Sequence, residues 1–328
     1  MLITLESGAD RRHVSQVMRR LVTDAQNLAG SQHGPYALHR AYQAWVNAAR
    51  TQLRRQISET DMGRLVLTDR YEALLSMQVP VLFTSSPAGL KPVDQPGSGP
   101  IREILTLEID EHVHHFEQAI ATLEQWSTLL ERADRSGSLV IADANVFCHH
   151  PSRLKDWDVG ADARALPGRD VHLVLPLPVL DELDRLKDRG QGAAKTNARE
   201  TIKQMMGLLP HGVVRQRGQT GRSSGVRGGA LTLDLWPDPP CHVRLPRADD
   251  EIIARAVAFQ ALAGRKVTLL TGDGGMSSRA ELAGLDTVLL DLPDATHKPP
   301  KPPRGTQHPA HRTASIDVAA SGVEQNGQ

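Results

Sequence analysis

Leu139-Val140-Ile141-Ala142-Asp143-Ala144-Asn145 is a short aliphatic run that closes on an acid. The same form recurs downstream. Val171-His172-Leu173-Val174-Leu175-Pro176 leads into a helix with Glu182 one turn in, and Val267-Thr268-Leu269-Leu270-Thr271-Gly272 ends on Asp273. A fourth acid, Asp249, opens the helical stretch Asp249-Asp250-Glu251-Ile252-Ile253-Ala254-Arg255-Ala256. Short aliphatic runs alternating with helical patterns read as βαβ units, with a parallel sheet covered on both faces. Such a sheet gathers whatever follows the carboxyl ends of its strands into one crevice. The four carboxylates are therefore expected to meet, although 130 residues separate the first from the last. Clustered carboxylates repel one another and are tolerated chiefly where a divalent cation neutralises them. The pattern predicts a metal-dependent hydrolase.

Outward from these runs, the 328 residues divide in three. Strands are expected over 139–142, 172–175, 231–235, 267–270 and 287–290, and helices over 178–187, 193–209, 249–263 and 276–283. Together they make an α/β domain over 138–293. The region 1–135 reads as helical: Leu38, Ala41, Tyr42, Trp45, Ala49, Leu53 and Ile57 recur at helical spacing, as do Leu105, Ile109, Val113, Phe116, Ile120, Leu123 and Leu130. Trp45 and Trp126 fall on such stripes and read as core. The breaker-rich stretch 86–100 reads as a loop between the two halves of an antiparallel helical unit. The tail 294–328, rich in Pro, Lys, His, Ser and Gln, is expected to be disordered with a polyproline II bias.

Composition narrows the class. Hydrophobic residues at 40% and charged residues at 23% suit a folded globular protein, and aromatics at 3% leave the core to Leu, Val, Ile and Ala. A net charge of zero means that any attraction for a polyanion must be local. Two cysteines, Cys148 and Cys241, make neither a disulfide framework nor a Cys-x-x-Cys pair, which suits a reducing cytoplasm. No apolar stretch approaches the roughly 18 residues of a membrane span, and no signal peptide is evident. A cytoplasmic protein without membrane contact is expected.

Five pieces in order resemble the PIN domain, a nuclease module: Ile141-Ala142-Asp143-Ala144-Asn145, the run 175–187, Asn197-Ala198-Arg199, Asp249-Asp250-Glu251-Ile252-Ile253-Ala254, and Leu270-Thr271-Gly272-Asp273. The run 175–187 looks most like PIN modules that elsewhere are fused to P-loop ATPases; no P-loop is present here, and a helical N-terminal extension stands in addition. The resemblance implies a three-layer α/β/α PIN-like fold with a central parallel sheet, preceded by an all-α region. It implies a metal-dependent ribonuclease hydrolysing single-stranded RNA internally, with Asp143, Glu182, Asp249 and Asp273 as catalytic residues and ligands of Mg²⁺ or Mn²⁺. Asn145 and Thr271 match supporting polar positions, and Asp250 rivals Asp249 for the same role. Gly274-Gly275 stands where some relatives carry a further polar residue, which argues against a complete second metal site. Hard oxygen ligands suit these ions, which activate water and act as Lewis acids.

Between Arg185 and Gly229 lie ten Arg and Lys against Asp188 and Glu200, a local balance of +8. Arg185, Lys187, Arg189, Lys195, Arg199, Arg215 and Arg217 are the expected nucleic-acid contacts, and 215–229 reads as a flexible basic loop. Cys148-His149-His150 and His112, His114 and His115 lack tetrahedral zinc spacing and read as a loop and a polar helix face. The rival readings are a toxin of a toxin–antitoxin pair, a non-catalytic RNA-binding or scaffold protein, and a structure-specific DNA nuclease. The helical region is open to a protein partner, and the resemblance leaves room for a homodimer.

Overall fold

The computed structural model describes residues 1–86, 89–94, 99–132, 137–209, 212–216 and 229–293. The N-terminal helices are α1 (Arg11–Ala29), α2 (Pro35–Leu53), α3 (Glu59–Leu65), α4 (Asp69–Ser76) and α5 (Gly99–Arg132). Three of them begin where a side chain accepts an otherwise orphaned N–H: Asp10 caps α1, Ser58 caps α3 and Thr68 caps α4. The stripes read from the sequence face inward. Leu38, Tyr42, Trp45, Ala49 and Leu53 of α2 and Leu105, Ile109, Phe116 and Leu123 of α5 are buried, and α1 packs on both helices.

Two differences stand out. The stretch 86–100, expected as a loop, carries β2 (Gly89–Asp94), which pairs antiparallel with β1 (Val81–Ser86) just ahead of it. The β-branched and aromatic residues of Val81-Leu82-Phe83-Thr84 favour extended backbone, and Gly89 supplies a φ of +108° beside the turn. His112, expected on a polar helix face, is instead buried. Its Nδ1 bonds the Leu65 carbonyl at 2.8 Å and its Nε2 the Tyr42 hydroxyl at 3.0 Å, beside the buried Glu108. A buried imidazole needs such partners.

The C-terminal part is a six-stranded sheet in the order β5-β6-β4-β3-β7-β8. Its strands are β3 (Ser138–Ala142), β4 (Val171–Pro176), β5 (Val213–Arg215), β6 (Leu231–Trp236), β7 (Val267–Thr271) and β8 (Asp286–Leu289). All neighbours pair in parallel except β5, an antiparallel edge strand that the sequence pattern did not reveal. Helices α6 (Ala144–His149), α7 (Val159–Asp162), α8 (Leu177–Arg189), α9 (Gly192–Leu208), α10 (Ala248–Ala263) and α11 (Gly274–Leu282) connect them. Cys148 and His149 therefore lie in a short helix rather than a loop. β3 and β4 are almost wholly apolar and buried, as strands covered on both faces must be.

Helical region and sheet share one apolar core. Trp126 of α5 packs edge-on against Trp236, with centroids 4.6 Å apart, and against Phe259 of α10 at 6.1 Å. Arg11 adds a polar tie, donating to the carbonyls of Leu262 and Ala263 at the end of α10. Among the described residues no helix is long and apolar enough to cross a membrane. The tail read as disordered, 294–328, lies outside the described residues.

Candidate functional site

The strand order changes direction at β3. The chain steps from β3 to β4 on one side, and later returns to place β7 on the other. Crevices open at such switch points, at the carboxyl ends of the strands. Asp143 follows β3 directly, and its N–H donates to Leu270 O of β7 at 3.0 Å. Glu182 lies in the second turn of α8, the helix that leaves β4. Asp249 sits in the first turn of α10, whose far end feeds β7, and Asp273 is the cap of α11 just beyond β7.

Asp143 is the buried centre of this group, only 2% exposed. Its carboxyl is pushed up to about 7, first by burial and then by the charges of Glu182 and Asp249; the Ala144 N–H and the Thr271 hydroxyl pull the other way. Glu182 is raised for the same reasons, burial first, with Asp249 adding to it and Arg185 opposing. The structure thus brings Asp143, Glu182 and Asp249 within electrostatic reach of one another. Of the pair Asp249 and Asp250, Asp249 is the one whose charge raises both Asp143 and Glu182, which makes it the better candidate. Thr271, fully buried, donates to Asp143 Oδ2 at 3.4 Å and accepts from the Asp273 N–H at 3.0 Å.

Asp273 stands at the rim. Its Oδ1 caps α11 by accepting from the N–H groups of Gly275 (2.6 Å) and Met276 (3.1 Å). Asn145 is exposed on the first turn of α6. Asp181, one residue before Glu182, faces away and pairs with Arg244. Asn197 of α9 donates to the Cys148 carbonyl at 2.7 Å and so fixes the end of α6 behind the site. The Cys148 thiol is pushed up to about 12 by burial and by the nearby Glu182 and Asp143, so it stays protonated and is no nucleophile.

Sequence patterns did not signal the cations that answer these acids. Arg279 of α11 reaches Asp249 Oδ2 with Nη2 and Asp250 Oδ1 with Nε, each at 2.9 Å. Arg247 stands farther off, at 3.8 and 3.7 Å from the same two acids. Arg279 lies six residues beyond Asp273, a spacing without meaning until α11 is folded against α10.

Residues 140–291 match the family model described as PIN domain. This part of the chain is a PIN domain. The helical region ahead of it matches no family model, and no curated protein shows a significant match to the chain. PIN domains are typically nucleases that use divalent metals and act on nucleic acid. The donors here fit a hard divalent cation: they are carboxylate oxygens, and among the described residues no cation pairs with the buried Asp143. The shell is not closed as it stands. No group of three or more His, Cys, Asp or Glu among the described residues is close enough to hold an ion. Glu182 is paired with Arg185 at 3.1 Å and Asp249 with Arg279 at 2.9 Å.

Of the basic residues expected to meet nucleic acid, Arg185, Arg189 and Arg199 are exposed, and Lys187 and Lys195 are half-buried on α8 and α9 of the PIN domain. Arg215 does not belong with them. It is buried and donates to the Trp157 carbonyl at 3.4 Å, because β5 turns it inward against the sheet's edge. Arg217 and the basic loop from 217 to 228 lie outside the described residues.

Proposed function

We propose that the PIN domain is an endoribonuclease that hydrolyses single-stranded RNA with Mg²⁺ or Mn²⁺. The observation that carries the reading is Asp143, buried directly after β3 and without a cation partner among the described residues, where the negative charges of Glu182 and Asp249 act on it. Such a group is costly unless a metal neutralises it. Asp143, Glu182 and Asp249 would hold the ion, with Asp273 at the outer edge. When bound, a divalent cation supplies Lewis acidity to phosphoryl oxygens and lowers the pKa of a water.

The chain's own residues do the rest. Thr271 fixes the rotamer of Asp143 through its hydroxyl and ties that carboxylate to the backbone of Asp273. The exposed arginines of α8 and α9 draw the phosphate backbone toward the crevice, an attraction that weakens with salt. RNA as the substrate class rests on the family resemblance. The test is cleavage of end-labelled single-stranded RNA by the full chain in Mn²⁺, Mg²⁺ or EDTA, beside Asp143→Asn. Internal cuts that need metal and vanish in the variant support the reading. Cleavage retained by the variant refutes this metal site.

A further inference from the structure

Arg279 pairs with one of the carboxylates proposed to hold the divalent cation. Its guanidinium bridges Asp249 and Asp250 at 2.9 Å to each, and it is only one-third exposed. It also lies beside Asp273. A Cβ at Gly275 would come within 3.1 Å of Asp273 Oδ1 and 3.4 Å of Arg279 Nη1, so the two side chains flank that glycine. One cation therefore touches or adjoins three of the acids around the crevice. The only other basic group near Asp249 among the described residues, Arg247, is longer in reach and 60% exposed.

Two charges cannot share one carboxylate face without cost. A divalent ion coordinated by Asp249 would face the guanidinium at a few ångströms, and like charges at that distance repel. We propose that Arg279 is a built-in counter-ion: it holds Asp249 while the site lacks metal, and it must release Asp249 when a divalent ion binds. The proposal rests on the nuclease reading above. It accounts for two facts together, namely that the donors suit a hard cation and that they do not close around one in the present conformation. Asp250 gives the arginine a place to stay. Its Nε lies 2.9 Å from Asp250 Oδ1 as an ion pair without hydrogen-bond geometry, and that charge pairing keeps the guanidinium at the rim when the Nη2 bond to Asp249 breaks. Arg279 is thus a positioning residue acting through Asp249.

The sign of the effect separates this role from a merely structural one. A supporting residue, when removed, loosens the site and weakens metal binding. A competing cation, when removed, strengthens it. Mn²⁺ affinity of the full chain, read from the EPR signal of free Mn²⁺, should tighten roughly fivefold in Arg279→Gln, about 1 kcal/mol for loss of one partly exposed competing pair. Arg279→Lys, which restores a cation, should return the affinity to within about twofold of the parent. Unchanged or weaker binding in Arg279→Gln overturns the proposal. Should that variant not fold, the parent protein answers through its Arg279 Nη2–H NMR resonance, the group bonded to Asp249, assigned by its absence in Arg279→Lys. Saturation with Mg²⁺ should shift it, and a resonance that stays fixed overturns the proposal. If the parent binds no Mn²⁺ at millimolar concentration, the metal reading itself fails and takes this proposal with it.

Discussion

Replacing Asp143 by Asn should stabilise the metal-free protein at alkaline pH while leaving it unchanged in acid. Asp143 is buried and titrates at about 7 in the fold, against roughly 3.9 for an unfolded aspartate. The folded state therefore holds this proton more tightly than the unfolded state. Its contribution to stability is complete below about pH 4, declines as the pH rises and is gone once the folded carboxyl has ionised, above about pH 7. About three pH units at roughly 1.4 kcal/mol each set an upper limit near 4 kcal/mol. Asn has nearly the same shape, stays neutral throughout and keeps an oxygen for the Thr271 hydroxyl. At about 2–4 °C per kcal/mol, thermal unfolding in EDTA should separate the two proteins by at most about 8–16 °C at pH 8.5 and by almost nothing at pH 3.5. Circular dichroism in paired buffers reads this directly. Added Mn²⁺ should then raise the parent and not the variant. Parallel pH curves, or a variant less stable than the parent at pH 8.5, would refute the claim that burial and like charge act on Asp143.

Other consequences follow from the same contacts. Glu182→Gln removes one of the charges that raise Asp143, so the pH at which the parent loses stability in EDTA should move downward; an unmoved midpoint would show that the two carboxylates do not interact. Thr271→Val leaves the Asp273 N–H without its acceptor and deprives Asp143 of its hydroxyl donor. It should cost about 1–3 kcal/mol in urea unfolding and roughly ten- to hundredfold in cleavage. Trp126→Ala empties the contact with Trp236 and Phe259 and should cost about 3–5 kcal/mol. Cleavage per folded molecule at 25 °C should survive that change, because none of the four acids touches the indole.

The parallel strands and their helices could be read in advance because their signals are local. Leu139-Val140-Ile141 and Val267-Thr268-Leu269-Leu270 are aliphatic runs bounded by turn residues, and the periodicity of α2 and α5 named their buried faces. The edge strand β5 escaped notice because three residues, one of them Arg215, carry no pattern. The hairpin escaped because its glycine and prolines look like loop signals until strands pair across them. His112 looked polar because sequence spacing does not say which neighbour closes over a helix face.

The sequence by itself determined which acids end the strands and begin the helices, and so which carboxylates a parallel sheet would deliver to one edge. It did so because strand direction and helix period act over a few residues, and Asp143, Glu182, Asp249 and Asp273 each sit at a fixed offset from such a signal. Only the tertiary structure decided how those charges are answered. Burial under α6 and β7 raised Asp143. Packing of α11 on α10 put Arg279 against Asp249 and Asp250, and the turn of β5 took Arg215 out of the basic surface. Electrostatic pairing depends on distances between segments far apart in the chain, and no local pattern encodes those distances until the core has closed.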